Sequence, residues 1–136
     1  MFDLSGKTAL VTGASGGIGG AIARGLHAQG AHVVLSGTRE NVLAEVAKEL
    51  GERTSVVVGN LSDSAAVDGL IGRAEEAAGQ VDILVANAGI TRDGLVLRMS
   101  DEDFTDVLDT NLTGAFRASR RAVKSMMRAR WGRIVL

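Results

Sequence analysis

From Thr8 onward, short runs of apolar and β-branched residues alternate with helix-length segments, and this alternation restricts the fold more than any other feature. Thr8 to Thr12, Ala31 to Ser36, Thr54 to Gly59 and Val81 to Ala86 read as strands. Gly132-Arg133 reads as a turn, with Ile134-Val135-Leu136 opening a fifth strand. The spacing of Ile18, Ala21, Ile22, Gly25 and Leu26 predicts a first helix, stopped by Gly30. Val42, Val46 and Leu50 stripe a second helix that ends at Gly51. Ser62 or Asp63 caps a third, whose inner face is Val67, Leu70, Ile71 and Ala74. Ser100 with Asp103 predicts a capping box that opens one long helix to about Arg130.

Continuous apolar strands separated by helices imply a parallel sheet covered on both faces. Right-handed crossovers make it doubly wound. The fold class is therefore α/β, and with no repeat or linker in sight, residues 1–136 read as one domain. A chain of 136 residues with 46% hydrophobic and 23% charged residues is long enough for a single core and is not of disordered composition. Cysteine is absent, which excludes disulfides and thiolate chemistry. His27 and His32 have no further ligand at metal-binding spacing, so no metal is predicted. A net charge of −1 argues against general nucleic-acid binding. The start, Met1-Phe2-Asp3-Leu4, lacks the basic opening of a secretory signal, and the apolar stretches fall short of the roughly 20 residues that span a bilayer. A soluble cytoplasmic protein without membrane contact is expected.

Gly13, Gly17 and Gly19 stand between the first strand and the first helix. In that position Gly13 serves a tight turn, Gly17 a close approach of backbone to a diphosphate, and Gly19 close packing of helix on strand. The helix N-terminus offers N–H groups and the positive dipole end to phosphates. A Walker loop would need Gly-Lys-Ser/Thr, which is missing. The alternative is a glycine-rich turn of purely structural use. At the end of the second strand, where an NAD-binding chain places a carboxylate for the ribose 2′-OH, the residues are Ser36-Gly37-Thr38-Arg39. No carboxylate repels a 2′-phosphate there and Arg39 can pair with one, which favours NADP(H). Otherwise Arg39 is a solvated charge at a helix start.

TGASGGIG at 12–19, NAG at 87–89 and TNLTG at 110–114 together resemble the short-chain dehydrogenase/reductase family. NAGITRDG at 87–94 and MMRARWGRI at 126–134 narrow the likeness to its β-ketoacyl-acyl carrier protein reductases. The resemblance implies a Rossmann-like sheet of order 3-2-1-4-5-6-7, with strands 6 and 7 absent from residues 1–136. It also implies NADP(H) held by Gly13, Ala14, Ser15, Gly16, Gly17, Ile18, Gly19, Thr38 and Arg39. Asn60 and Leu61 would flank the adenine, with Asn87, Ala88 and Gly89 on the ribose side. Two positions depart from the family pattern: Gly16 stands where many relatives carry a basic residue, and Ala86 where asparagine is common.

Asn111 is the catalytic residue that the resemblance assigns within this stretch: it bends the long helix and holds a water in a proton relay. An asparagine on the apolar stripe of Phe104, Val107, Leu108 and Ala115 needs its amide satisfied, and a bond across to the sheet is the structural alternative. In the family the relay serves a serine, a tyrosine and a lysine. The serine and the Tyr-x-x-x-Lys pair are expected beyond Leu136, and residues 1–136 contain no tyrosine. This stretch alone is therefore expected to be inactive, as the cofactor-binding half of an NADPH-dependent reductase that makes 3-hydroxyacyl- from 3-oxoacyl-acyl carrier protein in fatty acid biosynthesis. The other readings are a non-catalytic NADP(H)-binding module, a reductase of another carbonyl substrate, and a chain that works only by association.

Arg117, Arg120, Arg121, Lys124 and Arg128 recur along one side of the long helix, with Ala115, Ser119, Ala122, Val123, Met126 and Met127 on the other. The basic side is either a solvated face or, as the resemblance implies, a dock for acyl carrier protein through Arg128 and Arg130. The same resemblance implies a homotetramer. The fifth strand is expected to be an exposed apolar edge unless further chain or a second copy covers it.

Overall fold

A computed structural model of the chain describes residues 2–136. Five parallel strands, β1 (Thr8–Val11), β2 (His32–Gly37), β3 (Thr54–Val58), β4 (Ile83–Val85) and β5 (Arg133–Val135), form one sheet in the order β3-β2-β1-β4-β5. The helices are α1 (Gly17–Ala28), α2 (Glu40–Leu50), α3 (Ser64–Ala78), α4 (Asp101–Leu108) and α5 (Gly114–Ala129). The sheet and its order are those expected from the sequence.

Because side chains alternate across a strand, each strand feeds two cores. Leu10, Val34 and Leu84 pack with Val67, Leu70 and Ile71 of α3 and Ala118, Ala122 and Met126 of α5. Ala9, Val11, Val33, Leu35, Ile83 and Val85 pack on the other face with Ala23 of α1 and Leu43 and Val46 of α2. Full burial of each large aliphatic side chain stabilises by about 1.5–3 kcal/mol. Register places Leu10 beside both Val34 and Leu84, so the central layer is continuous across three strands.

The expected caps are in place. The Asp63 carboxylate accepts from Ala66 N–H at 2.8 Å, and the Ser100 hydroxyl accepts from Asp103 N–H at 3.0 Å. Gly30, at φ 99°, ends α1 while Ala31 N–H reaches back to Leu26 O at 3.2 Å.

Three helix faces differ from expectation. On α1 the buried residues are Gly19, Gly20 and Ala23, while Ile18 is 73% exposed and Ala21 and Gly25 face solvent. Small residues bring this helix close to the sheet, so the larger Ile18 turns away. On α2, Leu43 rather than Val42 is fully buried. On α5 the sheet-facing residues are Ala115, Ala118, Ala122 and Met126, and Val123 and Met127 are exposed.

The long helix expected from Ser100 to Arg130 is two helices. A π turn over Asp109–Thr113 separates α4 from α5. Such turns insert one residue, and one residue rotates everything beyond it by about 100°. Beyond Arg130, which takes the left-handed conformation at φ 54°, Gly132 passes against Met126 and leads into β5. This strand is the sheet edge, with Ile134 half-buried and Val135 and Leu136 exposed.

At the opposite end of the sheet, His32 Nε2 lies 2.8 Å from Ser55 Oγ. Burial lowers the His32 pKa below its ordinary value, and the charges of Arg53 and His27 lower it further. His27 is itself engaged with Glu52 O, and Arg53 donates to Ala31 O. The unfolded chain therefore takes up a proton near pH 6.5, where the folded chain resists it. The neutral ring's contribution is present above about pH 6.5 and is lost as pH falls through the lower folded-state value. The thermal midpoint is expected to fall from pH 7 to pH 5, and less steeply for His32→Gln. Equal slopes for both proteins would show that His32 titrates alike in the folded and unfolded chain.

Candidate functional site

Sheet order reverses between β1 and β4, and a crevice opens beyond the carboxyl ends of those strands. Here it has a volume of about 530 Å³ and is lined from five segments: the loop after β1, the end of β2, residues 59–62 after β3, residues 87–90 after β4, and Thr110 in the π turn. Gly13, Ser15, Gly16, Gly17, Ile18, Gly19, Thr38, Arg39, Asn60, Leu61, Asn87, Ala88 and Gly89 all border it. Segments far apart in sequence are thus brought to one cavity. Ala14 is not at the wall. It is fully buried, and its N–H donates to Ser36 O at 2.9 Å, tying the glycine loop to β2.

The glycine loop has the geometry that a diphosphate requires. No side chain caps α1 at Gly16, and the first turn carries no acidic residue, so its N–H groups and the dipole face the cleft. Beside Gly17 there is open space. Gly13, at φ 65°, passes so near Ala88 that a Cβ there would come within 2.9 Å of its Cα. A Cβ on Gly19 would overlap the Gly13 carbonyl oxygen and stand 2.7 Å from Asn87 Nδ2. The first and third glycines are there for contact, and the second for access.

Behind the loop, Thr12 holds the two central strands together. Its N–H and Oγ both donate to Val85 O, at 3.0 and 3.3 Å, and its Oγ accepts from Ala88 N–H at 3.0 Å. Asn87 Nδ2 points back to Thr12 O at 3.2 Å. On the β2 side, Arg39 precedes α2 and donates from Nη2 to Ser15 O at 2.6 Å, lying across the glycine loop. Among the described residues, no carboxylate lines the cleft.

Asn111 sits in the π turn, next to wall residue Thr110. Its Oδ1 accepts from Ile90 N–H at 2.8 Å and its Nδ2 donates to Ile90 O at 3.0 Å. The amide is satisfied by the loop after β4 rather than by the sheet, which corrects the structural alternative above. Both of its bonds go to the backbone of one residue, so the π turn and that loop are fixed to each other.

Sequence reasoning missed several wall residues. Gly59 and Ser62 adjoin the expected Asn60-Leu61 pair, and their involvement follows from loop shape. Thr12, Ile90 and Thr110 stand inside the motifs quoted above, which assign them no role; Thr12 and Ile90 are held by partners remote in sequence.

The basic stripe divides. Arg121 Nη2 meets Glu75 Oε2 at 2.9 Å in a pair that is 22% exposed on each side, and Arg117 Nη1 donates to Ser62 O at 3.2 Å. Arg120 lies over the Phe116 ring at 5.2 Å. Lys124, Arg128 and Arg130 point outward, and no ion pair or hydrogen bond engages their side chains among the described residues.

A doubly wound parallel sheet with a glycine loop at its switch point is a Rossmann-like nucleotide-binding fold, and such a site takes a nicotinamide dinucleotide. The family model for short chain dehydrogenases matches residues 7–136, and the chain belongs to that family. Nodulation protein G of Rhizobium sp. (strain N33) is 56% identical over 135 residues, covering 99% of this chain and 55% of the relative. The 3-oxoacyl-[acyl-carrier-protein] reductase FabG of Rickettsia bellii is 49% identical over 135 residues, with 99% and 54% covered. A solved structure from Agrobacterium tumefaciens, described as a "putative gluconate dehydrogenase", superposes with a TM-score of 0.90 at 37% identity, covering 98% of this chain and 54% of that one. The chain spans about half the length of the curated relatives it matches. No helix among the described residues is long and apolar enough to cross a membrane.

Proposed function

We propose that residues 1–136 form the NADP(H)-binding part of a cytoplasmic reductase acting on 3-oxoacyl groups carried by acyl carrier protein. The observation that carries the cofactor choice is Arg39, held across the glycine loop at the end of a strand that offers no carboxylate. With Gly16 in the position where a second basic residue could stand, Arg39 is, among the described residues, the single cation lining this wall. The substrate class rests on the reductase relative named above and on the outward cations Lys124, Arg128 and Arg130, which suit an acidic carrier.

When bound, NADPH supplies the hydride. The chain's own residues seat it: the glycine loop and α1 N-terminus take the diphosphate, Arg39 and Thr38 the 2′-phosphate, Asn60 and Leu61 the adenine, and Asn87 to Gly89 the ribose. Asn111 holds Ile90 in place through both of its backbone groups, and the resemblance would make it this stretch's member of the family's proton relay. The family's tyrosine has no counterpart in this stretch. The alternative reading is a non-catalytic NADP(H)-binding module. Steady oxidation of NADPH by an acetoacetyl thioester, tracking the protein through purification, would exclude it.

A homo-oligomer, tetrameric in the complete protein, is part of the same reading. Phe104, Leu108, Leu112 and Phe116 are exposed at every fourth position along α4, the π turn and α5. An apolar row of that length calls for a cover.

The cofactor assignment is tested by calorimetric titration. NADPH is expected to bind more tightly than NADH, and Arg39→Ala to narrow the gap by roughly 1–2 kcal/mol, the scale of one charge-assisted contact. Equal affinities before mutation would remove the NADP(H) assignment.

A further inference from the structure

We propose that residues 111–117 act as a strut between the two ends of the cleft, with Gly114 and Arg117 as positioning residues for the loop on the adenine side. The proposal rests on the cofactor reading above. At one end of this short segment, Asn111 grips both the N–H and the C=O of Ile90, at 2.8 and 3.0 Å. Three residues on, Gly114 is buried against Leu61: a Cβ at Gly114 would stand 3.0 Å from Leu61 Cβ and 3.3 Å from its carbonyl oxygen. Three residues further, Arg117 Nη1 donates to Ser62 O at 3.2 Å. Seven residues running from the π turn into α5 thus touch both walls of the cleft.

The adenine-side loop has little else to define it from this direction. Arg73 of α3 donates to Val58 O at 2.9 Å, which fixes where the loop starts. Asn60 Oδ1 accepts from Ser62 N–H and Oγ, at 3.3 and 2.8 Å, and closes the loop on itself. Leu61 is 6% exposed and forms part of the core beside α5. Arg117 and Gly114 then set where that closed loop sits relative to α5.

The π turn makes the double contact feasible. The inserted residue rotates α5 by about 100° relative to α4, letting Asn111 face Ile90 while Gly114 and Arg117 face Leu61 and Ser62. A ligand group that settles the adenine-side loop therefore also settles the Ile90 peptide, through contacts that are continuous in space. Coupling between two ends of a site is reciprocal, so order imposed at either end is felt at the other.

The probe is adenosine 2′,5′-bisphosphate, which carries the adenine and the 2′-phosphate and has no nicotinamide. Its affinity is measured by calorimetry, and the exchange of the Ile90 amide by NMR. In the wild-type chain, saturation with the probe is expected to slow Ile90 exchange severalfold. In Arg117→Gln the affinity is expected to fall about three- to tenfold, the scale of one hydrogen bond, and the slowing at saturation to disappear. Arg117→Lys, which keeps the cation, is expected to recover part of both effects, and it carries the test if the glutamine variant does not fold. A wild-type chain that binds the probe with no change at Ile90, or a variant that matches wild type in both readings, overturns the strut alone. A wild-type chain that does not bind the probe overturns the cofactor reading and the strut with it.

Discussion

Gly19→Ala is expected to destabilise the chain by about 1–3 kcal/mol, the usual range for forcing an atom into filled space, and to bring NADPH binding below detection. The new methyl would overlap the Gly13 carbonyl oxygen and crowd Asn87 Nδ2. The first obstacle is backbone and so cannot rotate away. Relief requires α1 to move off the turn, and that movement displaces the N–H groups that face the cleft. Denaturant midpoints and calorimetry check the two halves separately. Wild-type stability together with wild-type affinity would mean that the helix does not need its close approach to the turn.

Thr12→Val gives the second large effect. The side chain is 2% exposed, and its hydroxyl is the acceptor for Ala88 N–H. Valine keeps the shape and removes that acceptor. Val85 O retains the Thr12 N–H bond, so the loss concentrates on one donor in a part-buried loop. Leaving such a donor unmet costs about 1–3 kcal/mol. Cofactor affinity is expected to fall as well, because residues 87–89 lose one of their bonds to Thr12 and keep only those of the Asn87 amide. A valine variant with unchanged unfolding free energy would show that the loop finds another partner at no cost.

Much of the fold was legible because its causes are local. Apolar runs of strand length separated by helical spacing specify a covered parallel sheet, and the five-strand order follows from right-handed crossovers and the family resemblance. Asp63, Ser100 and Gly30 mark helix ends through bonds that close within a few residues, so the chain itself displays them. Most of the cleft was legible for the same reason: a glycine loop after the first strand and the tail of the second lie at fixed places in such a sheet.

Tertiary structure decided what depends on distant partners. A 3.6-residue template carried one helix through Asp109–Thr113, because an inserted residue leaves no mark in apolar spacing. There the Asn111 side chain bonds Ile90, 21 residues earlier in the chain. The rotation of α1 also lay outside the pattern. Hydrophobicity placed Ile18 inward, whereas the nearness of Gly13 and Asn87 admits only Gly19. The arginines of α5 form one stripe in sequence and are divided in space, because Glu75 and the Ser62 carbonyl, each on another segment, draw Arg121 and Arg117 inward. Sequence by itself determined the strands, the first three helices and the glycine loop after the first strand. Which face of each helix turns inward, and which remote group each polar side chain meets, was settled by packing, since those energies exist only once the segments are assembled.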